Sequence, residues 1–156
     1  MTTFLIALTG FISMASSLFS LELPKTWEKD FTIDVSYHGS MSGGRTSIKF
    51  TYDSCIYITD SNQAPKKTRA YLLTQKDRDA ILGKLRSLKI DKIDTKKEFV
   101  AVHDGWSQSI CFGFHCIEGG TSVELTDEDK STFLTAYAFL EQFAIDNTKK
   151  VKTKVK

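Results

Sequence analysis

The first half of the chain contains short segments in which apolar and polar residues alternate. Phe31–Tyr37 alternates strictly, Thr46–Tyr52 does so again after a loop, and Cys55–Thr59 follows a two-residue turn. Alternation with a period of two is typical of β-strands with one buried face. The pattern predicts a meander of three antiparallel strands, with Arg69–Leu73 as a short fourth strand after a polar loop at residues 60–68.

Two later segments have the spacing of amphipathic helices. A threonine that can cap a helix, Thr74 or Thr126, precedes each of them. The Thr74 hydroxyl and the Asp77 carboxylate have the spacing of a capping box. Apolar residues then recur every three or four positions and predict a buried stripe, whereas the charged residues of the first helix, including Arg78, are expected to face solvent. The predicted buried residues are Ile81, Leu82, Leu85 and Leu88, then Phe133, Ala136, Tyr137, Leu140, Phe143 and Ala144.

The region between the two helices predicts further strands. Residues 106–117 alternate, with Phe112, Phe114 and Cys116 on one face, and residues 118–120 have the composition of a turn before a returning strand. Together the segments predict an α+β fold. Its antiparallel sheet would combine a meander of about three strands with a later hairpin, and two helices would pack on one face.

The N-terminal segment has the features of an export signal. The first 20 residues carry no charged side chain, and an apolar run begins at Phe4. The run is shorter than the ~20 residues of a membrane-spanning helix. Small residues at 15–17 suit signal peptidase, so we predict removal of residues 1–17 and export to the periplasm or the medium. Cleavage after Ser20, a buried N-terminal element and an uncleaved anchor are the alternatives.

Length and composition limit the remaining possibilities. The chain has 156 residues, of which 41% are hydrophobic and 26% charged, and its net charge is +2. This balance is typical of one globular domain, predicted here at residues 18–145, and it argues against a nucleic-acid partner. Residues 146–156 hold five lysines and one acid. They predict a basic disordered tail, for which contact with an anionic membrane surface is a further hypothesis.

Export would favour a disulfide among Cys55, Cys111 and Cys116. A bridge between Cys111 and Cys116 requires the intervening residues to fold back and to expose two phenylalanines. The sequence therefore favours a bridge from Cys55, without choosing its partner. A zinc site that adds His115 is disfavoured, because neighbouring residues on a strand point to opposite faces.

One predicted turn contains His103, Asp104 and Trp106 and is a candidate binding site. A large rigid ring beside a glycine can anchor a partner, because it loses little entropy on binding. The alternative is that Trp106 packs inward at the start of a strand.

A glycine-rich loop with Ser40, Met41 and Arg45 is a second candidate. Its glycine spacing looks like that of a phosphate-binding loop, but such a loop must open a helix, and an alternating strand follows here. We interpret it as a hairpin loop that contributes to a binding rim.

The sequence lacks paired catalytic carboxylates, a serine elbow and a metalloprotease motif, and no cysteine begins a predicted helix. The layout resembles small exported bacterial α+β domains, some of which are enzyme inhibitors or immunity proteins. We expect an exported binding module for a macromolecular partner, most simply a protein, with no catalytic residue, cofactor or metal ion. The alternatives are an envelope-associated structural protein that uses the lysine tail and a small hydrolase that depends on Cys and His.

Overall fold

A computed structural model describes residues 22–39, 43–93, 105–121 and 123–153. Its strands are β1 (Ile33–His38), β2 (Arg45–Phe50), β3 (Ser54–Ser61), β4 (Ala64–Leu72), β5 (Ser107–Phe112) and β6 (His115–Gly120). The α-helices are α1 (Gln75–Ser87) and α2 (Asp127–Thr153), and a 3-10 turn lies at Ile90–Lys92. The strands form one antiparallel sheet in the order β4-β3-β2-β1-β5-β6. The predicted α+β fold class is confirmed.

One face of the sheet supplies the core, as the alternation predicts. Ile33 and Val35 of β1 are buried together with their neighbours on the adjoining strands, and both helices contribute to the same buried cluster. The other face carries mostly polar residues. Ser36 and Ser109, for example, lie opposite each other and share a hydrogen bond of 2.8 Å between their hydroxyls. Burying only one face explains why the strands alternate so regularly in sequence.

The start of α1 has the predicted capping box. The Asp77 amide donates to the Thr74 hydroxyl at 3.2 Å, and the Thr74 amide donates to the Asp77 carboxylate at 2.8 Å. The expectation that Arg78 faces solvent is wrong, because Arg78 is only 7% exposed. Its guanidinium donates to the carbonyls of Tyr52 and Leu73 and lies 4.0 Å from the centre of the Tyr52 ring. The side chain joins the turn between β2 and β3 to the beginning of the helix.

The region between β3 and α1 differs from the prediction. Residues 60–68 form no polar loop; β3 and β4 instead make a long hairpin with its turn at Asn62 and Gln63. Strand β4 lies at the edge of the sheet, and its first residues, including Pro65 and Lys67, are exposed. Proline and lysine are common on edge strands, where they discourage pairing with other chains. The polar composition therefore marks an edge strand here.

The prediction of a long strand over residues 106–117 is also wrong. The chain turns at Gly113 and Phe114, so that β5 and β6 form a hairpin, and residues 118–120 belong to β6 instead of a turn. Gly113 has a φ of +57°, which glycine adopts easily at the first central position of a two-residue hairpin turn. Phe114 is consequently 92% exposed, not inward-facing.

The disulfide joins Cys111 to Cys116, and the preference for a bridge from Cys55 is wrong. Cys55 is free and buried. The two bridged residues lie directly opposite each other on β5 and β6, with their Cα atoms 4.0 Å apart. Folding back exposes only Phe114, since Phe112 stays buried at 4%.

Removing the disulfide by a Cys111→Ser, Cys116→Ser double substitution is expected to lower the free energy of unfolding by about 2 kcal/mol. The bridge spans five positions, and the chain-entropy relation for so short a loop gives a value of this size. Urea unfolding with and without reductant measures the effect. Reductant should lower the stability of the native chain to that of the variant and leave the variant unchanged; a native chain insensitive to reductant would contradict the prediction.

Helix α2 continues past residue 145, where the domain was predicted to end. Leu140, Ala144 and Thr148 are all buried, so the buried stripe keeps its four-residue spacing into the lysine-rich segment. The Asn147 amide group also donates to the Phe143 carbonyl at 2.9 Å. The first part of the expected tail is therefore helical, to Thr153.

The predicted export signal, residues 1–17, lies outside the described residues. Neither α1 nor α2 combines the length and the apolar character that a membrane-spanning helix needs, and the same holds for the 3-10 turn at Ile90–Lys92. The domain contains a disulfide.

Candidate functional site

A groove of about 500 Å³ lies at the end of the sheet where β1 begins and β5 ends. Ile33 and Phe112 are opposite each other in the register, which brings the segment before β1 against the turn between β5 and β6. Phe31, Phe112 and Phe114 line the groove. Its volume lies within the ~300–1,000 Å³ that is common for ligand-binding clefts.

The segment before β1 forms one wall, and Trp27 fixes its shape. The Trp27 side chain is 4% exposed, its indole N–H donates to the Phe31 carbonyl at 2.8 Å, and the two rings meet edge to face with centroids 5.2 Å apart. The Phe31 amide donates to the Glu28 carbonyl at 3.2 Å. These contacts close a tight turn that places Glu28 and Asp30 at the groove.

The β5–β6 turn forms the other wall. Phe112 and His115 flank the turn, and their ring centroids are 5.0 Å apart. The disulfide lies one residue pair behind them and holds the two strands together. The His115 Nε2 atom is buried without a hydrogen-bond partner. Phe114 at the tip is thus an exposed ring on a covalently closed turn.

The rim of the groove is acidic. Glu22, Glu28 and Asp30 line it, and no lysine or arginine is found among the described residues of its lining. Lys92 pairs with Glu22 at 2.8 Å, and this hydrogen bond lowers the pKa of the Glu22 carboxyl. Glu28 accepts a hydrogen bond from the Thr26 hydroxyl at 2.9 Å. Neither Glu28 nor Asp30 is in an ion pair with any residue that the structure describes.

The candidate residues predicted from the loops lie elsewhere. Arg45 and Ser107 both flank His38 in the register, so Arg45 and Trp106 are at the end of the sheet opposite the groove. Arg45 is exposed. The other four candidates, Ser40, Met41, His103 and Asp104, lie outside the described residues.

Trp106 is held by its neighbours and is partly buried. Its backbone exchanges hydrogen bonds with Thr121, including one of 3.0 Å from the Thr121 amide to the Trp106 carbonyl. Its ring centroid is 6.5 Å from that of Tyr37. Gly120 has a φ of +122°, and a Cβ there would collide with the Trp106 carbonyl. The backbone of Trp106 is therefore fixed at this end of the sheet, and its ring contacts that of Tyr37.

The cysteines bear on the hypothesis of thiol chemistry. Cys111 and Cys116 form the disulfide, so neither has a free thiol. Burial raises the pKa of the Cys55 thiol to about 12, so that this residue is a neutral, enclosed thiol at physiological pH. Across the described ranges, no three His, Cys, Asp or Glu side chains are grouped as they would be around a metal ion.

The groove residues were missed because they are brought together by folding. One local signal was available: in Cys111–Cys116 a glycine interrupts the alternation midway between two cysteines. An isolated glycine in a strand pattern often marks a turn or bulge. No local signal links Phe31 to Phe114.

Sequence comparison assigns no family to the chain. The chain matches no protein-family model and no curated protein sequence. Its function is therefore inferred from the groove's own chemistry: aromatic walls, an acidic rim and an exposed ring at the tip of a disulfide-closed turn.

Proposed function

We propose that the protein is an exported binding module that recognises a protein partner through the groove, with Phe114 as its main anchor. The observation that carries this proposal is the 92% exposure of Phe114 at the tip of a turn that a disulfide holds closed. Exposing a phenylalanine to water is unfavourable by about 1.5–3 kcal/mol relative to burying it, and a partner would recover this free energy. Aromatic residues of this kind are typical of interface hot spots.

The rigidity of the surroundings favours binding. A partner that docks on a preformed turn does not have to order it, and the ordering of loops and side chains is a main term opposing association. Trp27 and the disulfide fix the two walls of the groove independently. The turn is therefore preorganised for contact.

The open shape of the groove favours a macromolecule over a small molecule. Sites for small ligands enclose most of the ligand surface. Here Phe114, which forms one side, is almost fully exposed. A protein segment can cover both the groove and the projecting ring, whereas a small molecule would leave the ring in water.

Three further observations support the exported, non-catalytic form of the proposal. A disulfide is typical of proteins outside the cytosol, and the apolar N-terminal segment has the length of an export signal. Thiol-dependent hydrolysis would need a reactive cysteine, and the three cysteines are either bridged or buried as a neutral thiol.

Phe114→Ala is expected to weaken partner binding about tenfold or more without changing stability. The aromatic anchor would be lost, whereas an exposed side chain contributes little to the folded state. Cross-linking capture from culture medium or periplasm, with native protein as bait, identifies the partner, and calorimetric titration of the purified partner measures its affinity for each variant.

Leu72→Ala is the matched control. Leu72 is also exposed, at 80%, but it lies at the other edge of the sheet on β4. The Leu72→Ala variant should bind the purified partner with the same affinity as the native chain. Equal affinities of the Phe114→Ala and native proteins would rule out the groove as the recognition site.

A further inference from the structure

We infer that the partner presents an arginine, or less favourably a lysine, beside an apolar residue where it enters the groove. This inference rests on the proposed function and specifies the chemistry of the segment that is recognised. Three features of the groove carry it: the sign of its charge, two carboxylates that no described lysine or arginine neutralises, and its aromatic walls.

The charge of the groove opposes that of the chain. The whole sequence has a net charge of +2, yet among the residues that the structure describes, three carboxylates and no lysine or arginine line the groove. Lys25 and Lys29 belong to the same segment, but they are exposed and do not line it. A local field opposite in sign to the net charge selects for a cationic ligand at short range.

Two of the three carboxylates are available to such a ligand. Lys92 already pairs with Glu22, at 2.8 Å. Glu28 and Asp30 lie on the turn closed by Trp27 and Phe31 and are in no ion pair with the described residues. A partner that excludes water from the groove would strengthen their attraction for a cation, because the local dielectric constant would fall.

The aromatic walls favour a guanidinium in particular. Phe31, Phe112 and Phe114 line the groove; Phe112 is buried, whereas Phe31 is partly exposed and Phe114 is almost fully exposed. A cation over an aromatic ring is attracted by the ring quadrupole. Arginine combines this stacking with bidentate hydrogen bonds to a carboxylate, which lysine cannot make. The adjacent apolar residue would cover Phe114.

A panel of matched peptides tests the inference on the full purified chain. Each octapeptide contains glycine, serine and one central Leu-Xaa pair, in which Xaa is Arg, Lys, Gln or Glu, with a fluorescent label for anisotropy measurements. We expect the Arg peptide to bind about five- to tenfold more tightly than the Gln peptide, with Lys between them and Glu weakest. Raising NaCl from about 0.05 to about 1 M should reduce this discrimination.

Charge variants locate the effect. Glu28→Gln with Asp30→Asn should reduce the preference for Arg over Gln to about twofold or less. Asp60→Asn with Glu124→Gln changes the net charge equally at exposed positions away from the groove and should leave the preference intact.

The outcomes separate this inference from the proposed function. If no peptide binds, or if all four bind equally, the partner segment is not cationic. The same conclusion follows if the two double variants behave alike. In each case, weaker binding of the purified partner to the Phe114→Ala variant would still support the groove as the recognition site. If the Phe114→Ala variant binds the purified partner as tightly as the native protein does, the proposed function itself is overturned.

Discussion

Arg78→Met is expected to lower the free energy of unfolding by about 2–4 kcal/mol. The side chain is 7% exposed and donates hydrogen bonds to two backbone carbonyls, those of Tyr52 and Leu73, and to the Gln75 side chain. Methionine keeps much of the packing but donates no hydrogen bond. The two carbonyls would lose their charged donor, and the stacking over the Tyr52 ring would also be lost.

An opposing effect is smaller. Methionine would relieve the desolvation of a buried charge, and replacing a complete buried ion pair by apolar residues is often neutral for that reason. At Arg78 the acceptors are main-chain groups that remain in place after the substitution. Their lost hydrogen bonds should therefore outweigh the relief.

Arg86→Met is the matched control for Arg78→Met. Arg86 lies on the same helix, is exposed, and makes one long hydrogen bond of 3.4 Å to the Lys25 carbonyl. Its replacement should change stability by less than about 0.5 kcal/mol. Urea unfolding followed by circular dichroism gives both values, provided that the slope of the free energy of unfolding against urea concentration is the same in the variants and the native protein. Similar stability changes in the two variants would contradict the structural role of Arg78.

Local pattern was sufficient to predict most of the elements. Alternation predicts the ends of β1, β2 and β3 to within two residues, and Thr74 and Thr126 do precede α1 and α2. The reason is physical: one face of this sheet packs on the helices and the other is polar. The alternation within each strand therefore indicates which of its side chains face the core. Each helix likewise buries only one side, so its apolar residues recur every three or four positions and can be recognised in the sequence.

Features set by distant contacts could not be predicted in this way. Arg78 has the sequence context of a solvent-facing residue, and its burial depends on the β2–β3 turn, which offers it carbonyl acceptors. The edge position of β4 likewise depends on how all six strands assemble. The candidate groove is the strongest case, because Phe31 and Phe114 meet only through the pairing of β1 with β5.

Phe133→Ala is expected to produce the largest loss of stability, about 3–5 kcal/mol. Phe133 is 1% exposed, and its ring lies where α2 passes over the edge strand β6. Truncation would leave a cavity between helix and sheet, which the surrounding structure could fill only in part. Leu134→Ala, at the next position and 40% exposed, should lower stability by about 1 kcal/mol or less.

The close approach of α2 to β6 depends on Gly119. A Cβ at this position would overlap the Phe133 ring, and the φ of Gly119 is outside the left-handed region, so that backbone strain does not add to the steric effect of alanine here. Gly119→Ala alone should therefore destabilise the protein by about 1–3 kcal/mol. In the Phe133→Ala background the same substitution fills part of the cavity instead.

A double-mutant cycle on Gly119 and Phe133 distinguishes direct contact from general loosening of the edge. If the added methyl group and the Phe133 ring compete for the same space, Gly119→Ala should lower stability in the native background. In the Phe133→Ala background it should have little effect, or a small stabilising one. The coupling should then amount to about 1–3 kcal/mol between the two substitutions. Additive losses, measured by urea unfolding of the four proteins, would show that Phe133 does not pack against the backbone of β6.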